Sequence, residues 1–344
     1  MKKIRWGIIG CGAVTEVKSG PGLQLAEGSK LVAVMRRNGA LAADYAQRHG
    51  VPKWSDDANV IIHDSEIDAV YVATPPGSHL DYALQVCAAG KPCYVEKPIA
   101  RNATESRQMV DAFAAAGLPL FVAYYRRALP RFLKAKRLIE EGRLGKITNV
   151  SYQYRRPTHQ HAELPWRLLA EEAGGGFFMD LGSHTLDILD FMLGPLVDVA
   201  GTAVNRSDTY QVEDGIVMHF RTQSGGLGTA AWDFKGLGRE DMIEIVGTNG
   251  RLSLSTFGNE PVQLETAVGV ETFDLPNALH VQQPLIQTIV NDLLQAEPAS
   301  GHCASTGASA LRTALVQDTV LASFYGGRDD AYWSRPETWP GSAK

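Results

Sequence analysis

The stretch Ile4-Arg5-Trp6-Gly7-Ile8-Ile9-Gly10-Cys11-Gly12-Ala13-Val14 constrains the fold more than any other part of the chain. It is a short apolar run followed at once by two glycines, and a helix-like stretch at 16–26 comes next. Strand, glycine turn and helix in this order form the context that the fingerprint GxGxx(G/A) requires. Gly10 permits a tight turn, Gly12 lets the backbone approach a pyrophosphate, and the helix N-terminus supplies N–H groups near Ala13 and Val14. The stretch therefore predicts a dinucleotide site, with a plain glycine turn as the alternative.

Strands and helices alternate in the first third of the chain. Apolar runs lie at 31–35, 68–73, 92–95 and 118–123, and helical patterns separate them at 40–49, 78–89 and 104–116. This alternation favours a parallel sheet with right-handed crossovers. We therefore predict an α/β Rossmann dinucleotide-binding domain over residues 1–125.

The rest of the chain has a different pattern. Short alternating runs with glycine-rich turns between them occur at 146–155, 197–204, 214–221, 227–234, 242–246 and 251–255. They predict a large, mostly antiparallel open sheet. Helical patterns lie at 131–141, 177–193, 284–296 and 308–324. We predict an α+β substrate-binding and oligomerisation domain over residues 126–344, whose last helix can pack back on the first domain.

The end of the second strand predicts the cofactor. A site for NAD(H) needs an acidic residue there to bond the ribose 2′-hydroxyl, but the strand ends in Met35-Arg36-Arg37-Asn38. Guanidinium groups suit a 2′-phosphate, which takes bidentate hydrogen bonds. We therefore favour NADP(H) as the cofactor, with NAD(H) as the other possibility. The simpler alternative is that Arg36 and Arg37 are solvated charges without a ligand.

Tyr94-Val95-Glu96-Lys97-Pro98 ends another apolar run with a carboxylate and an ammonium. Pro98 favours an extended backbone at Lys97, with a trans peptide bond expected between them. Ligands bind at the carboxyl ends of strands in such sheets, so Lys97 is a candidate catalytic residue; an ion pair with Glu96 is the simpler alternative.

Residues 74–79, Thr74-Pro75-Pro76-Gly77-Ser78-His79, follow the strand at 68–73. The prolines expose backbone where the nicotinamide half of a dinucleotide would lie, and Ser78 is expected to cap the next helix. We expect Thr74, Pro75 and His79 to contact the cofactor, although a surface or capping histidine is an alternative for His79.

A second group of candidates lies at 154–187. Asp180, His184 and Asp187 have helical spacing and should project together, and a surface carboxylate–histidine pair is the default interpretation of such a triplet. His159-Gln160-His161 with Glu163 is more typical of a loop facing a substrate cleft than of a metal site, so no metal is predicted.

The composition argues against several classes of partner and cellular location. The 344 residues carry a net charge of −5, with 44% hydrophobic and 21% charged residues. This balance favours neither nucleic acid nor an anionic membrane as a partner. The four cysteines lack metal-binding spacing, which indicates thiols in a reducing compartment, and no apolar run is long enough to span a bilayer. We expect a cytoplasmic protein.

Taken together, these residues resemble the Gfo/Idh/MocA family of NAD(P)-dependent oxidoreductases. The resemblance spans nearly the whole chain and lies in Gly7 to Gly12, Thr74 to His79, Glu96-Lys97-Pro98, Gly174-Gly175-Gly176 and Asp180 to Asp187. Trp166-Arg167 ahead of the three glycines is similar to the dihydrodiol dehydrogenase and sugar reductase branch. The resemblance implies that Asp180 and His184 face Lys97 across the cofactor. It also implies that the free face of the sheet packs a second copy, as a homodimer or homotetramer.

The resulting hypothesis is hydride transfer between a nicotinamide and a carbinol carbon of a sugar, polyol or diol. His184 would be the base, Asp180 would orient the imidazole or bond a neighbouring hydroxyl, and Lys97, positioned by Glu96, would hold the oxygen. Tyr154 and Trp166 are candidate substrate walls, with packed core as the alternative for either, and Trp166 is also a candidate for contact with the cofactor. Arg126, Arg127 and Arg167 are candidates for binding the cofactor phosphates or an acidic substrate. Two alternatives stay open: a non-catalytic NADP-binding sensor, and an NAD-dependent glycosidase that recycles its cofactor.

Overall fold

A computed structural model describes residues 3–157, 163–296 and 301–342. The chain divides into two compact units. The first comprises Met1–Ala100, Glu105–Leu129 and Ala278–Leu311, and the second comprises Arg101–Thr104, Pro130–Asn277 and Arg312–Lys344. The predicted boundary between residues 125 and 126 differs from this division, because a late segment of the chain joins the first unit.

The first unit is built on a parallel sheet of six strands in the order β3-β2-β1-β4-β5-β6. The strands are β1 Ile4–Ile9, β2 Ser29–Met35, β3 Lys53–Ser55, β4 Ala69–Val72, β5 Cys93–Val95 and β6 Leu120–Val122. β1 pairs with both β2 and β4, so the chain direction across the sheet changes at β1. Ligands of doubly wound sheets bind at that point, beyond the carboxyl ends of the strands. The predicted Rossmann fold is confirmed.

Helices cross between these strands. They are α1 Gly20–Leu25, α2 Gly39–His49, α3 Ala58–His63, α4 His79–Ala88 and α5 Ala103–Ala115, and α9 Gln283–Leu293 joins the unit from late in the chain. The central strands are mostly apolar, and every residue of β4 is buried, as expected when both faces of a parallel sheet are covered. β3 and α3 are too short for the hydrophobic pattern to have indicated them.

The second unit contains a sheet of eight strands in the order β14-β13-β12-β11-β7-β10-β9-β8. The strands are β7 Ile147–Arg155, β8 Leu196–Val204, β9 Gly215–Thr222, β10 Leu227–Asp233, β11 Glu240–Gly247, β12 Gly250–Leu254, β13 Val262–Thr266 and β14 Gly269–Phe273. β7 and β10 pair in parallel and the other neighbours are antiparallel, which confirms the mostly antiparallel sheet. The hairpin of β13 and β14 was not predicted.

The remaining helices are α6 Pro130–Glu140, α7 Ala170–Ala173, α8 Ser183–Leu193 and α10 Gly307–Tyr325. Within the sheet, burial alternates along each central strand; in β9, Ile216, Met218 and Phe220 are buried while Val217 and His219 are exposed. One face of the sheet therefore forms the core of the unit and the other is exposed in the single chain. Among the described helices, none is long and apolar enough to cross a membrane.

Candidate active site

The glycine loop follows β1, and its two glycines are required for different reasons. Gly10 has φ +92°, and a Cβ there would lie 2.6 Å from Thr74 Cγ2 and 3.0 Å from Thr74 N. The fold itself therefore needs Gly10. At Gly12 the nearest atom to an added Cβ among the described residues would be Gly10 O, at 3.9 Å, so none of these residues excludes a Cβ. The open space beside Gly12 is what the close approach of a pyrophosphate requires.

The segment after the loop is a π-helical turn, Thr15–Ser19, and α1 follows it. Thr15 Oγ1 accepts a hydrogen bond from Gly12 N (2.9 Å) and donates to Gly12 O (2.8 Å), which closes the loop. The widened turn leaves Thr15 O to accept from Tyr45 Oη (2.9 Å) as well as from Gly20 N. The predicted single helix at 16–26 is therefore two segments. Ala13 is exposed and Val14 half-buried at the start of the turn.

Two arginines are exposed directly after β2. Within residues 3–157, 163–296 and 301–342, neither Arg36 nor Arg37 forms an ion pair. Asn38 caps α2 by accepting from Leu41 N (3.2 Å). The carboxylate of Glu16 is occupied by Arg48 (2.8 Å) and His49 (2.7 Å), and the hydrogen bond from Arg48 is the main reason that its pKa is lowered to about 2.

Lys97 directly follows Glu96, at the carboxyl end of β5, and is half-buried. The Lys97–Pro98 peptide bond is cis, so the expected trans bond was wrong. Glu96 is 7% exposed, and its carboxylate accepts hydrogen bonds from Tyr71 Oη (2.6 Å), Gln282 Nε2 (2.7 Å) and Lys97 N (3.1 Å). Sequence reasoning found Glu96 and Lys97 but missed Tyr71 and Gln282, which lie far from them along the chain.

His79 is fully buried, so the surface interpretation was wrong. One ring nitrogen lies 2.7 Å from Thr74 O, and the other lies 3.1 Å from Pro98 O and 3.2 Å from Ile99 O. The imidazole thus links the loop after β4 to the loop after β5 and is covered from direct contact with a ligand. Burial lowers the pKa of His79, despite these carbonyl groups. Ser78 does not cap α4; its hydroxyl donates to Thr74 Oγ1 (2.8 Å), and Pro75 precedes it in extended conformation.

Arg126 lies in a short 3₁₀ turn, Tyr125–Ala128, after β6. It is 7% exposed, and its guanidinium lies 4.9 Å from the centre of the Tyr125 ring. Arg127 is also buried and donates to Ala304 O (3.1 Å). Both arginines are therefore held within the first unit rather than on its surface.

In the second unit, Asp180 lies in a π-helical turn, Phe178–Gly182, which leads directly into α8. Such turns often occur at functional sites. Asp180 Oδ2 accepts from Arg167 Nε (2.9 Å), and the Arg167 guanidinium lies 4.3 Å from the centre of the Trp166 ring. This pairing was not predicted, since Arg167 had been assigned to a cofactor or substrate anion and Asp180 to the imidazole or a neighbouring hydroxyl. Because a π turn has more residues than an α turn, the expected common face of Asp180, His184 and Asp187 does not follow from α-helical spacing.

His184 lies in the first turn of α8 and is 5% exposed. Its ring meets the ring of Phe257 edge-on, with centroids 5.9 Å apart. Phe257 also contacts Tyr154, with ring centroids 5.6 Å apart, and both aromatic side chains are half-buried. Burial is the main cause of the raised pKa of Tyr154. Phe257 was missed because it lies in an irregular turn between β12 and β13, where no periodic pattern marks a residue.

The turn that carries Phe257 is held by Asp241, at the start of β11. Its Oδ1 accepts from Thr256 N (3.1 Å) and Tyr152 Oη (3.0 Å), and its Oδ2 accepts from Phe257 N (2.6 Å) and Gly258 N (3.2 Å). Thr256 Oγ1 lies 3.3 Å from Thr185 Oγ1, next to His184 on α8. The ring of Phe257 is therefore fixed against the imidazole by its own backbone.

The three glycines before Phe177 are held by the late part of the chain. Arg328 Nη1 and Tyr332 Oη each donate to Gly174 O (2.6 Å), and Glu213 accepts from Gly176 N. Gly174 has φ +75°, and a Cβ there would lie 2.3 Å from Arg101 O. This loop therefore needs glycine for packing and conformation. His159 and His161 lie outside the described residues.

A parallel sheet with a glycine loop at its switch point, and a second unit carrying Asp180 and His184 beside an aromatic wall, defines a dinucleotide-dependent oxidoreductase. Comparison with known proteins agrees. A sequence profile described as "Oxidoreductase family, NAD-binding Rossmann fold" matches residues 4–124, and one described as "GFO/IDH/MocA C-terminal domain" matches residues 132–253. The chain belongs to the Gfo/Idh/MocA oxidoreductase family.

Some of the similar proteins are named for a sugar derivative. "Oxidoreductase P35" of Formosa agariphila is 36% identical over 297 residues, which is 85% of this chain and 91% of that protein. The 1,5-anhydro-D-fructose reductase of Ensifer adhaerens is 31% identical over 72% of this chain and 74% of its own. A solved structure of levoglucosan dehydrogenase with NADH and levoglucosan superposes with a TM-score of 0.85 at 23% identity, over 94% of this chain and 97% of that one, and shows the shared fold. By this family membership, the protein is an oxidoreductase.

Proposed function

We propose that this enzyme prefers NADP(H) over NAD(H) and interconverts a carbinol and a carbonyl on a sugar, polyol or diol. The observation that carries the cofactor preference is the end of β2, where Arg36 and Arg37 are exposed and Asn38 caps α2. A carboxylate at this place would repel a 2′-phosphate, whereas a guanidinium can bind it through two charge-assisted hydrogen bonds. Glu16 does not supply the missing carboxylate, since Arg48 and His49 occupy it.

The residues of the glycine loop fit the pyrophosphate of this cofactor. Beside Gly12 the described part of the chain leaves open space, and the chain turns into a helical segment at Ala13 and Val14. Thr74 and Pro75 follow β4, the strand beside β1, and are proposed to contact the nicotinamide half. When bound, the nicotinamide ring donates or accepts the hydride.

The proton and the oxygen of the reacting carbinol are assigned to two side chains. His184 is the proposed base in oxidation and acid in reduction, because an imidazole titrates near neutral pH. Lys97 is proposed to hold the oxygen and to stabilise the negative charge that develops on it. Both groups lie in surroundings that fix them, Lys97 through Glu96 and His184 through Phe257.

Tyr154 and Phe257 are proposed to form the wall against the carbon skeleton of the substrate. Their half-buried rings present apolar surface beside His184, which suits the C–H groups of a sugar or polyol ring. Asp180, paired with Arg167, is then proposed to accept a hydrogen bond from a substrate hydroxyl rather than to orient the imidazole.

The first experiment measures nicotinamide absorbance during turnover. NADP⁺ and NAD⁺ are tested against levoglucosan, inositols and trans-dihydrodiols, and NADPH and NADH against 1,5-anhydro-D-fructose and inosose ketones. We expect turnover with a higher kcat/KM for the phosphorylated cofactor. Lys97→Met should lower kcat by about 10²- to 10³-fold while NADPH still binds, as when one charge-stabilising donor is removed. Unchanged turnover in this variant would remove Lys97 from the mechanism.

The cofactor preference is tested separately with Arg36→Asp. We expect the ratio of kcat/KM for NADPH over NADH to fall by roughly 10- to 100-fold, since one hydrogen-bonded charge contact contributes about 1.5–3 kcal/mol. Arg107→Asp is the matched control, because Arg107 is an exposed arginine on α5. An equal fall in both variants would reflect general charge, and no change in Arg36→Asp would refute the 2′-phosphate contact. Tight cofactor binding without any turnover would favour the sensor or the glycosidase.

A further inference from the structure

We propose that Gln282, immediately before α9, is a positioning residue for Lys97. Its side-chain amide holds the carboxylate of Glu96, and Glu96 in turn holds the backbone of Lys97. The inference rests on the catalytic role proposed for Lys97 above. Gln282 is 186 residues from Glu96 along the chain, and no motif points to it.

The contact is buried and short. Gln282 is 1% exposed and Glu96 is 7% exposed. Gln282 Nε2 lies 2.7 Å from Glu96 Oε1, and Gln282 Oε1 accepts from Tyr94 Oη at 2.8 Å. Water has little access to these groups, so losing one partner would leave the others unsatisfied.

Chemistry determines which end of the amide faces Glu96. A carboxylate only accepts hydrogen bonds, so the NH₂ group of Gln282 must point at it. The amide oxygen then faces Tyr94, whose hydroxyl supplies a donor. Glu96 therefore sets the orientation of the Gln282 amide, and the hydroxyl of Tyr94 satisfies its oxygen.

Glu96 transmits this restraint to Lys97. Its Oε1 accepts from Gln282 and from Tyr71 Oη (2.6 Å), and its Oε2 accepts from Lys97 N (3.1 Å). With Oε1 held by two donors, the carboxylate plane is fixed, and Oε2 is presented to the backbone of Lys97. The backbone of Lys97, from which the lysine side chain extends, is thus restrained at the end of β5.

Residues 280–282 also contact the π-helical turn Thr15–Ser19, which follows the glycine loop. Gln282 N donates to Lys18 O (3.2 Å), and His280 Nδ1 lies 2.6 Å from Val17 O. Tyr71 Oη also lies 3.2 Å from Ser19 Oγ in that turn. The network therefore ties the turn that follows Gly12 to the position of Lys97, all within the first unit.

The test compares Gln282→Met with Gln287→Met. Methionine is close to glutamine in size but has no amide, so Gln282→Met removes the hydrogen bonds to Glu96 and Tyr94. Gln287 lies on α9 and bonds the backbone of Glu27 through the same amide chemistry, away from Lys97. Gln287→Met therefore controls for weaker docking of α9. Tyr94→Phe, which removes only the donor to the amide oxygen of Gln282, should have a smaller effect in the same direction.

Single-turnover oxidation of NADPH by the ketone of the panel above that gives the highest kcat/KM separates positioning from loss of folded enzyme. We expect Gln282→Met to keep the amplitude and to lower the rate constant by on the order of 10- to 100-fold, as for small misplacement of a reacting group. Its dissociation constant for NADPH, from nicotinamide fluorescence, should stay within about twofold of wild type. Gln287→Met should keep both rate and amplitude.

Other outcomes refute the inference. A lower amplitude at unchanged rate would mean that Gln282 only supports folding. An unchanged rate in Gln282→Met, when Lys97→Met is inactive, would leave the proposed function standing and refute the positioning role. Unchanged turnover in Lys97→Met would instead remove Lys97 from the mechanism and would overturn this inference with it. A crystal structure of Gln282→Met gives a readout that needs no substrate: we expect the Glu96 carboxylate to rotate, and an unmoved Glu96 and Lys97 would overturn the proposal.

Discussion

His79 shows how one side chain can serve the site without touching a ligand. Its ring nitrogens contact carbonyl groups of Thr74 on one side and of Pro98 and Ile99 on the other, so it joins two loops that carry candidate residues. Because a neutral imidazole has one N–H, only one of these sides can receive a full hydrogen bond at a time. Protonation would satisfy both, but burial opposes the charge and lowers the pKa of His79 more than nearby Glu96 raises it.

This lowered pKa predicts a dependence of stability on pH. Below the ordinary histidine pKa of about 6.5, the unfolded chain binds a proton that folded His79 does not. The contribution of His79 to the free energy of unfolding is therefore fully present above pH 6.5. It is lost as the pH falls below 6.5, at up to about 1.4 kcal/mol per pH unit. His79→Gln should flatten the fall in Tm between about pH 6.5 and 5. His63, which is exposed on α3, provides the control His63→Gln, which should keep the wild-type slope.

The helices next to the candidate residues begin irregularly. π-helical turns at Thr15–Ser19 and Phe178–Gly182 precede α1 and α8, and each follows a glycine-rich loop. In the first, a Cβ at Gly20 would lie 2.3 Å from both Thr15 O and Tyr45 Oη, so glycine permits the close packing. The wider turn exposes a carbonyl that a tyrosine hydroxyl satisfies. These contacts, rather than helix propensity, determine where each helix starts.

The two glycines of the first loop should respond differently to alanine. Gly10→Ala places a Cβ against Thr74 at φ +92° and should destabilise the fold by about 1–3 kcal/mol or more, lowering Tm. Gly12→Ala meets no protein atom closer than 3.9 Å and should keep the wild-type Tm while losing affinity for NADPH. Thermal unfolding and fluorescence titration measure the two effects. Unchanged NADPH affinity in Gly12→Ala would argue against a pyrophosphate at this loop.

At the scale of the whole molecule, the exposed face of the eight-stranded sheet carries several apolar side chains. Val217 is 62% exposed and Met242 39% exposed, and the pairings Val217–Ala231, Ala231–Gln153 and Gln153–Met242 place them in one row across four strands. Leu227 lies on the same face and is 63% exposed. Exposed apolar side chains in a row on a sheet suit packing against another apolar surface. We propose that the same face of a second copy of the chain covers them.

The corresponding prediction concerns mass in solution. Light scattering should give a multiple of the 37.3 kDa chain for the wild type and a single chain for the double variant Val217→Lys, Met242→Lys. Leu237→Lys is the control, since Leu237 is 94% exposed in the loop between β10 and β11. A wild-type monomer, or a double variant of wild-type mass with an unchanged Tm, would contradict the proposed interface.

The sequence alone was enough for the class of fold and for several candidate residues. Apolar runs, glycine turns and helical spacing depend on residues a few positions apart, so β1, β2, β4 and the loop at Gly10–Gly12 were predicted to within a few residues. The same signals placed Lys97 and His184 next to regular elements. They failed for β13 and β14, whose runs are short and partly polar.

Only the tertiary structure revealed the side chains that hold these residues in place. Gln282 meets Glu96, Phe257 meets His184, and Asp241 holds the turn at Thr256–Gly258, although each pair is far apart in the chain. Local preferences cannot encode such contacts, because they depend on how whole elements pack. The sequence therefore determined the kinds of chemical group that are present and the elements that carry them, and the packing of those elements decided which groups share a hydrogen bond.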